Sequence, residues 1–250
     1  PLQNEWLETF QNADTLFTYS EFGKDILESA SCGNIKVTDI CSPSANTQSF
    51  YPADDKDRHK SDFGFMDDIL IVGTVMRNQQ RKLYPDLISS FGEFCKRFPE
   101  ISKDVYLYLH VSYPDIGWDI PKLINESNIS HKIILTYYCA DCNYAFPSFL
   151  TNAISCCPRC GKRKAMMPNA QNAVPEEWLG KIMNCFDLYV QYSICEGFGM
   201  PQVEAASCGV PVMSMDYSAM SSVLKNIGGT PVKVRKFREM ATHTFRAHPD

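Results

Sequence analysis

Two glutamates frame a short flexible turn in "CEGFGMPQVEAASCG", residues 195–209: Glu196 opens it and Glu204 follows eight positions later. Between them lie Gly197, Phe198, Gly199, Met200 and Pro201. Glycines let a backbone approach a ligand closely, and a proline suits the first position of a helix. The free N–H groups at such a helix start form a ready site for phosphate. Two carboxylates beside that site would repel a lone phosphate, but they accept hydrogen bonds from hydroxyls. The chemistry implied is that of a nucleotide sugar, with its diphosphate on the helix end, its ribose on one glutamate and the transferred sugar on the other. Both carboxylates are explained as hydroxyl acceptors, so they are not the acid and nucleophile of a glycosidase.

A second constellation lies upstream. Cys139 and Cys142 form one C-x2-C knuckle, and Cys157 and Cys160 form another fourteen residues on. Each knuckle turns two thiolates toward one point, and four thiolates around one ion close a structural, tetrahedral zinc site with no position left for a reactive water. Cys156 is the spare. The segment is too short to hold a core of its own, so metal binding would supply much of its folding energy. Of eleven cysteines, the remaining six (Cys32, Cys41, Cys95, Cys185, Cys195, Cys208) are scattered in apolar or helix-like contexts. An odd total with one tight cluster points to a reducing, cytoplasmic setting and a metal rather than a disulfide framework.

The elements that must position these groups alternate. "ILIVGTV" (69–75) is a branched apolar run suited to a strand buried on both faces, and a helix follows from Pro85 to Phe98. "VYLYLHV", then a helix in "WDIPKLINES", then the strand "KIIL" continue the rhythm until the cysteine segment interrupts it. Beyond it, helix 175–185, strand "LYVQYS", helix 201–208 and strand "PVMSM" resume it. Strict alternation implies right-handed crossovers and a Rossmann-like, doubly wound α/β domain with a parallel sheet. In such a sheet the carboxyl end of "LYVQYS" delivers Glu196, and the start of the next helix delivers Glu204, to the crevice where ligands bind. The first forty residues add helix, strand, helix and strand, and residues 42–61 read as a linker.

Bulk properties exclude other classes. The 250 residues carry 24 basic and 29 acidic side chains, a formal charge of -5, and 44% apolar residues. No broad positive field is available for nucleic acid or an anionic membrane. No apolar run reaches the length of a transmembrane helix.

"EGFGMPQVEAASCGVPV" resembles the E-x7-E signature of family 4 glycosyltransferases, which are retaining enzymes of the GT-B fold, and "VGTVMRNQQRK" resembles the opening strand and loop of their donor-binding domain. The resemblance covers residues 68–224. It implies that Glu204 takes the ribose hydroxyls, that Glu196 and the backbone of Gly197, Phe198, Gly199 and Met200 hold the donor sugar, and that a basic pair in the first loop neutralises the diphosphate. Arg77, Arg81 and Lys82 are the cations on offer, and Arg77 and Lys82 are the expected pair. Many relatives place the arginine directly after the strand glycine, where this chain has Thr74. No catalytic metal is implied, and the acceptor, whether glycan, lipid or protein, is not readable.

The expected organisation is residues 1–60 as a remnant of an acceptor domain plus linker, 61–136 and 169–250 as the nucleotide-sugar-binding domain, and 137–168 as an inserted zinc ribbon that either braces the loop facing the nucleotide base or serves stability and docking. Since both halves of a GT-B enzyme exceed this length, the chain is expected to hold only the donor-binding part. A sugar-nucleotide epimerase and an inactive sugar-nucleotide-binding module are the alternative readings.

Overall fold

The computed structural model describes residues 2–66, 68–151, 154–239 and 245–249, with backbone alone for 236–239 and 245–249. The expected nucleotide-sugar domain therefore includes residues, 67, 240–244 and 250, that lie outside the described ones. Strands are numbered in chain order: β1 Phe17–Thr18, β2 Asp39–Ile40, β3 Leu70–Met76, β4 Val105–Val111, β5 Ile133–Cys139, β6 Tyr144–Phe149, β7 Ser155–Cys156, β8 Arg163–Ala165, β9 Leu188–Gln191, β10 Val212–Met215 and β11 Thr230–Val232.

Seven of them form the main sheet in the order β11-β10-β9-β3-β4-β5-β6. All neighbours pair in parallel except β5 and β6, which are antiparallel. The strand order reverses at β3, and in an open parallel sheet such a reversal leaves a crevice at the carboxyl ends of the strands.

Each side of the sheet is covered, and the period-two alternation of the strands sorts residues between two cores. On one side Leu107, Leu109 and Val111 of β4 pack with Leu87, Ile88 and Phe91 of the Tyr84–Arg97 helix and with Ile120 and Ile124 of the Ile120–Glu126 helix. On the other, Tyr108 of β4 and Ile71 and Val75 of β3 pack with Ile182 and Met183 of the Glu176–Asn184 helix, Ala205 of the Met200–Ser207 helix and Leu224 of the Ala219–Ile227 helix. Gly73 is required by this packing: a Cβ there would lie 2.3 Å from the Phe186 ring.

Two stretches differ from the sequence expectation. Residues 42–61, read as a linker, are docked on the domain: Phe50 is buried, Asn184 bonds the backbone of Tyr51 and Ala53, and residues Lys56–Asp62 form a helix. The Lys60 ammonium reaches the Ile69 carbonyl and Asp187. Polar composition suggested a free connection, but the few apolar and capping side chains it carries match partners distant in sequence. The third strand, expected to stop at Leu135, continues to the first cysteine, because Thr136, Tyr137 and Tyr138 pair with β6, a strand supplied by the 137–168 segment itself.

Candidate functional site

The loop after β3 and the loop after β9 are joined by main-chain bonds. Leu83 donates to the Tyr192 carbonyl (3.1 Å) and Ile194 to the Arg81 carbonyl (2.8 Å), with an isolated bridge between Lys82 and Ser193. From the other side, Asn78 and Trp118 exchange two hydrogen bonds of 2.8 Å, and the Trp118 indole N–H donates to the Lys82 carbonyl. Held this way, Arg81 and Lys82 both face Glu196.

The Glu196 carboxylate accepts from three donors. Lys82 Nζ bonds Oε1, Gln191 Nε2 donates to the same oxygen at 3.0 Å, and Arg81 donates to Oε2 at 2.7 Å. The Glu196 amide is bonded to the Ser218 hydroxyl, and Tyr189 donates onward to Gln191. The Lys82 and Glu196 side chains are each only 7% exposed. Burial lowers the Lys82 pKa, an effect that Glu196 partly offsets. Burial also acts to raise the Glu196 pKa, but the Lys82 and Arg81 charges outweigh it and hold the carboxyl below its ordinary value. Two cations against one carboxylate leave a net positive charge at this point of the crevice.

Arg77, expected to neutralise the diphosphate together with Lys82, lines the same cleft but is paired with Asp115 rather than with Glu196. Its guanidinium makes two hydrogen bonds to Asp115, which also accepts from Ser112. That guanidinium holds Asp115 well below the usual carboxylate range. Arg81 occupies the place beside Glu196 instead. The signal for it was in the sequence, since Arg81 adjoins Lys82, but adjacency alone does not say which side chains turn inward.

Glu196 is followed by a turn into the Met200–Ser207 helix, with Pro201 in the first turn. Gly199 caps that helix at φ +97°, a left-handed conformation that favours glycine. A Cβ on Gly199 would also strike the Gln202 amide at 2.3 Å. Gln202 is fully buried, and neither its amide nitrogen nor its amide oxygen has a hydrogen-bond partner among the described residues. Gly197 has open space where a Cβ would lie. Phe198 is mostly buried, edge-on to Tyr19 of the amino-terminal segment. Glu204 lies in the second turn of the helix, half-buried, and its pKa is pushed up to about 7 by burial and by the Glu176 charge.

A cleft of about 510 Å³ opens at these strand ends, lined by Arg77, Arg81, Lys82, His110, Asn169 and Pro201 among others. His110 shares a 3.0 Å hydrogen bond with Thr136, and burial lowers its pKa to about 4, so it is neutral at pH 7. It also lines the cleft wall.

The four cysteines of the two knuckles converge. Cys139, Cys142, Cys157 and Cys160 have all their sulfurs within 4.8 Å of one another, with Cys139 and Cys160 at 3.8 Å and Cys142 and Cys157 at 3.5 Å. A disulfide would need about 2.05 Å. Cys156 is exposed and outside the group.

The sheet, its helices and the crevice at the switch point define a Rossmann-like fold of the kind found in GT-B glycosyltransferases. Residues 169–241 match the family model described as Glycosyl transferases group 1. Among solved structures, the chain is similar to a sucrose-phosphate synthase from Thermosynechococcus elongatus (19% identity, TM-score 0.65, 92% of this chain and 48% of that one). It is also similar to a glycosyltransferase from Rickettsia africae (14%, TM-score 0.61, 94% and 54%) and to the Anabaena protein HepE solved with UDP and glucose (14%, TM-score 0.58, 93% and 54%). The chain thus spans about half the length of these structures. No curated protein matches it in sequence. Among the described residues, no helix is long and apolar enough to cross a membrane.

Proposed function

We propose that the chain carries the donor side of a retaining glycosyltransferase that moves a hexose from a nucleoside diphosphate sugar to an acceptor hydroxyl. The observation that carries this reading is the knot of Arg81, Lys82 and Glu196 beside a glycine-capped helix start at the mouth of the 510 Å³ cleft. Its excess positive charge suits a diphosphate, which the positive dipole end of the Met200–Ser207 helix also favours. Glu196 and the backbone of residues 197–200 then face the donor sugar, and Glu204 takes the ribose hydroxyls. The match of residues 169–241 to Glycosyl transferases group 1 supports the same class, and the UDP and glucose in the HepE structure fit this type of donor.

In the reaction an acceptor oxygen forms a bond to the anomeric carbon as the bond from that carbon to the diphosphate oxygen breaks. The acceptor proton passes to the departing diphosphate, whose charge Arg81 and Lys82 stabilise. Attack and departure on the same face retain configuration, and no divalent metal is needed for the step. Arg77 stands at the rim, able to leave Asp115 for the phosphates. The four cysteines have the chemistry and spacing of a structural zinc site, which we assign to them.

The test is a thermal-shift and calorimetric screen of uridine, guanosine and adenosine diphosphates and their sugars. Stabilisation by one of them, lost in Glu204→Ala, is the expected result. Indifference to every one of them overturns the proposal.

A further inference from the structure

The cysteine cluster and the cleft share one continuous wall. Cys139 is the last residue of β5, so the first knuckle grows directly from the main sheet, where Leu107, Tyr108 and Leu109 of β4 pair with Ile133, Ile134 and Leu135. The second knuckle leads through β8 to Met166, which is bonded in both directions to the residue before the first knuckle: Tyr138 N–H donates to the Met166 carbonyl at 2.8 Å and Met166 N–H to the Tyr138 carbonyl at 3.1 Å. Met167 is buried in the same core as Cys139 and Cys157. Immediately beyond it the Pro168 carbonyl accepts from Tyr113 N–H at 2.8 Å, and Pro168, Asn169, Ala173 and Val174 line the cleft together with Arg81 and Lys82.

Besides these bonds, Lys162 and Lys164 after the second knuckle reach Asp141 of the first, and Asn169 and Asn172 exchange main-chain bonds, but these ties are exposed or local. β7 and β8 pair over two and three residues, and the 168–174 stretch contains neither helix nor strand. Four sulfurs around one zinc at bonds of about 2.3 Å stand about 3.8 Å apart, and the Cys139–Cys160 and Cys142–Cys157 distances are 3.8 and 3.5 Å. An ion there would tie the far end of this stretch to β5. Removing it leaves four thiols, two of them buried, with no covalent tie between the knuckles.

We propose that zinc bound by Cys139, Cys142, Cys157 and Cys160 fixes the 168–174 wall of the cleft and thereby sets the affinity of the site for a nucleoside diphosphate. The ion acts as a positioning element, at one end of a rigid connection whose other end touches the nucleotide. The inference rests on the donor-site reading above.

The full chain is titrated calorimetrically with uridine, guanosine and adenosine diphosphates, as purified, after chelation, and after zinc is restored, with zinc content measured in parallel. About one zinc per chain is expected, with affinity for the preferred diphosphate falling at least about tenfold on chelation and returning with zinc, and with faster amide exchange confined to residues 157–174. Where chelation unfolds the chain, Met166→Pro decides, because it removes the Met166 N–H bond to Tyr138 while keeping all four cysteines. That variant is expected to retain zinc and to bind the diphosphate several-fold more weakly. Unchanged diphosphate affinity in the zinc-free protein, or in Met166→Pro where the zinc-free protein unfolds, overturns the coupling and leaves the donor site intact. A zinc-loaded protein that binds none of the three diphosphates overturns the donor-site reading itself, and the coupling with it.

Discussion

Two ion pairs stand within one loop of each other at the cleft, and they differ in nearly every respect. Lys82 and Arg81 meet Glu196 where both side chains of the Lys82 pair are 7% exposed, while Arg77 meets Asp115 with its own side chain 58% exposed. The first pair is built into the backbone by the cross-links between residues 81–83 and 192–194. The second depends on a solvated arginine closing on a carboxylate fixed by Ser112. A buried charge that loses its partner is left uncompensated in a poorly solvating place, whereas an exposed one regains water. The buried knot is therefore bound to the integrity of the domain, and the rim pair is free to rearrange when an anion arrives.

The comparison can be broken by substitution. Glu196→Ala strands two cations, Lys82 deeply, and is expected to cost about 3–5 kcal/mol of stability in urea unfolding. A loss below about 1 kcal/mol would show that the knot is not a structural charge pair. Arg81→Ala leaves the deeper pair in place; it is expected to weaken nucleoside diphosphate binding by about tenfold to a hundredfold, with a smaller effect on folding.

Glu204 sharpens the contrast, since it is a half-buried carboxylate with no ion-paired cation among the described residues. Its pKa, raised from an ordinary 4.5 to about 7, means that the folded chain resists its ionisation. Because the folded value lies above the unfolded one, this contribution to stability is present below pH 4.5 and lost as pH rises to about 7. Ribose hydroxyls instead favour the carboxylate, so diphosphate affinity should rise as pH passes through about 7. Glu204→Gln is expected to flatten both profiles, and an unchanged affinity profile in that variant would remove Glu204 from the ribose site. The smallest effect belongs to Arg77→Ala, which strips the guanidinium from Asp115, whose side chain is 9% exposed, and leaves its Ser112 bond: melting is expected to fall slightly and diphosphate affinity by less than about threefold. A larger fall would show that Arg77 leaves Asp115 to hold the donor.

How much was legible in advance varied with the range of the forces involved. The alternation that produced strands 105–111 and 70–76 and the helix at 84–97 is carried by apolar spacing within ten or so residues, and those elements lie within a residue of where the pattern put them. The choice between Arg77 and Arg81 was not legible, because it turns on Trp118, Tyr192 and Ser193, which the chain brings to the loop from afar. Nor was the docking of residues 42–61, which rests on Asn184 and Asp187 more than a hundred residues away. The 137–168 segment is intermediate: its two knuckles were evident from spacing, but its strand β6 joins the main sheet as an edge that no local pattern announces.

Sequence by itself determined the alternating elements, the left-handed glycine turn ahead of the Pro201 helix, and the pairing of cysteines into knuckles, because each depends on covalent geometry or on neighbours a few residues apart. Tertiary structure alone decided which arginine meets Glu196, how far Glu204 is removed from water, and that the cysteine cluster abuts the cleft wall. Those outcomes depend on burial and charge proximity, which exist only once distant strands lie side by side.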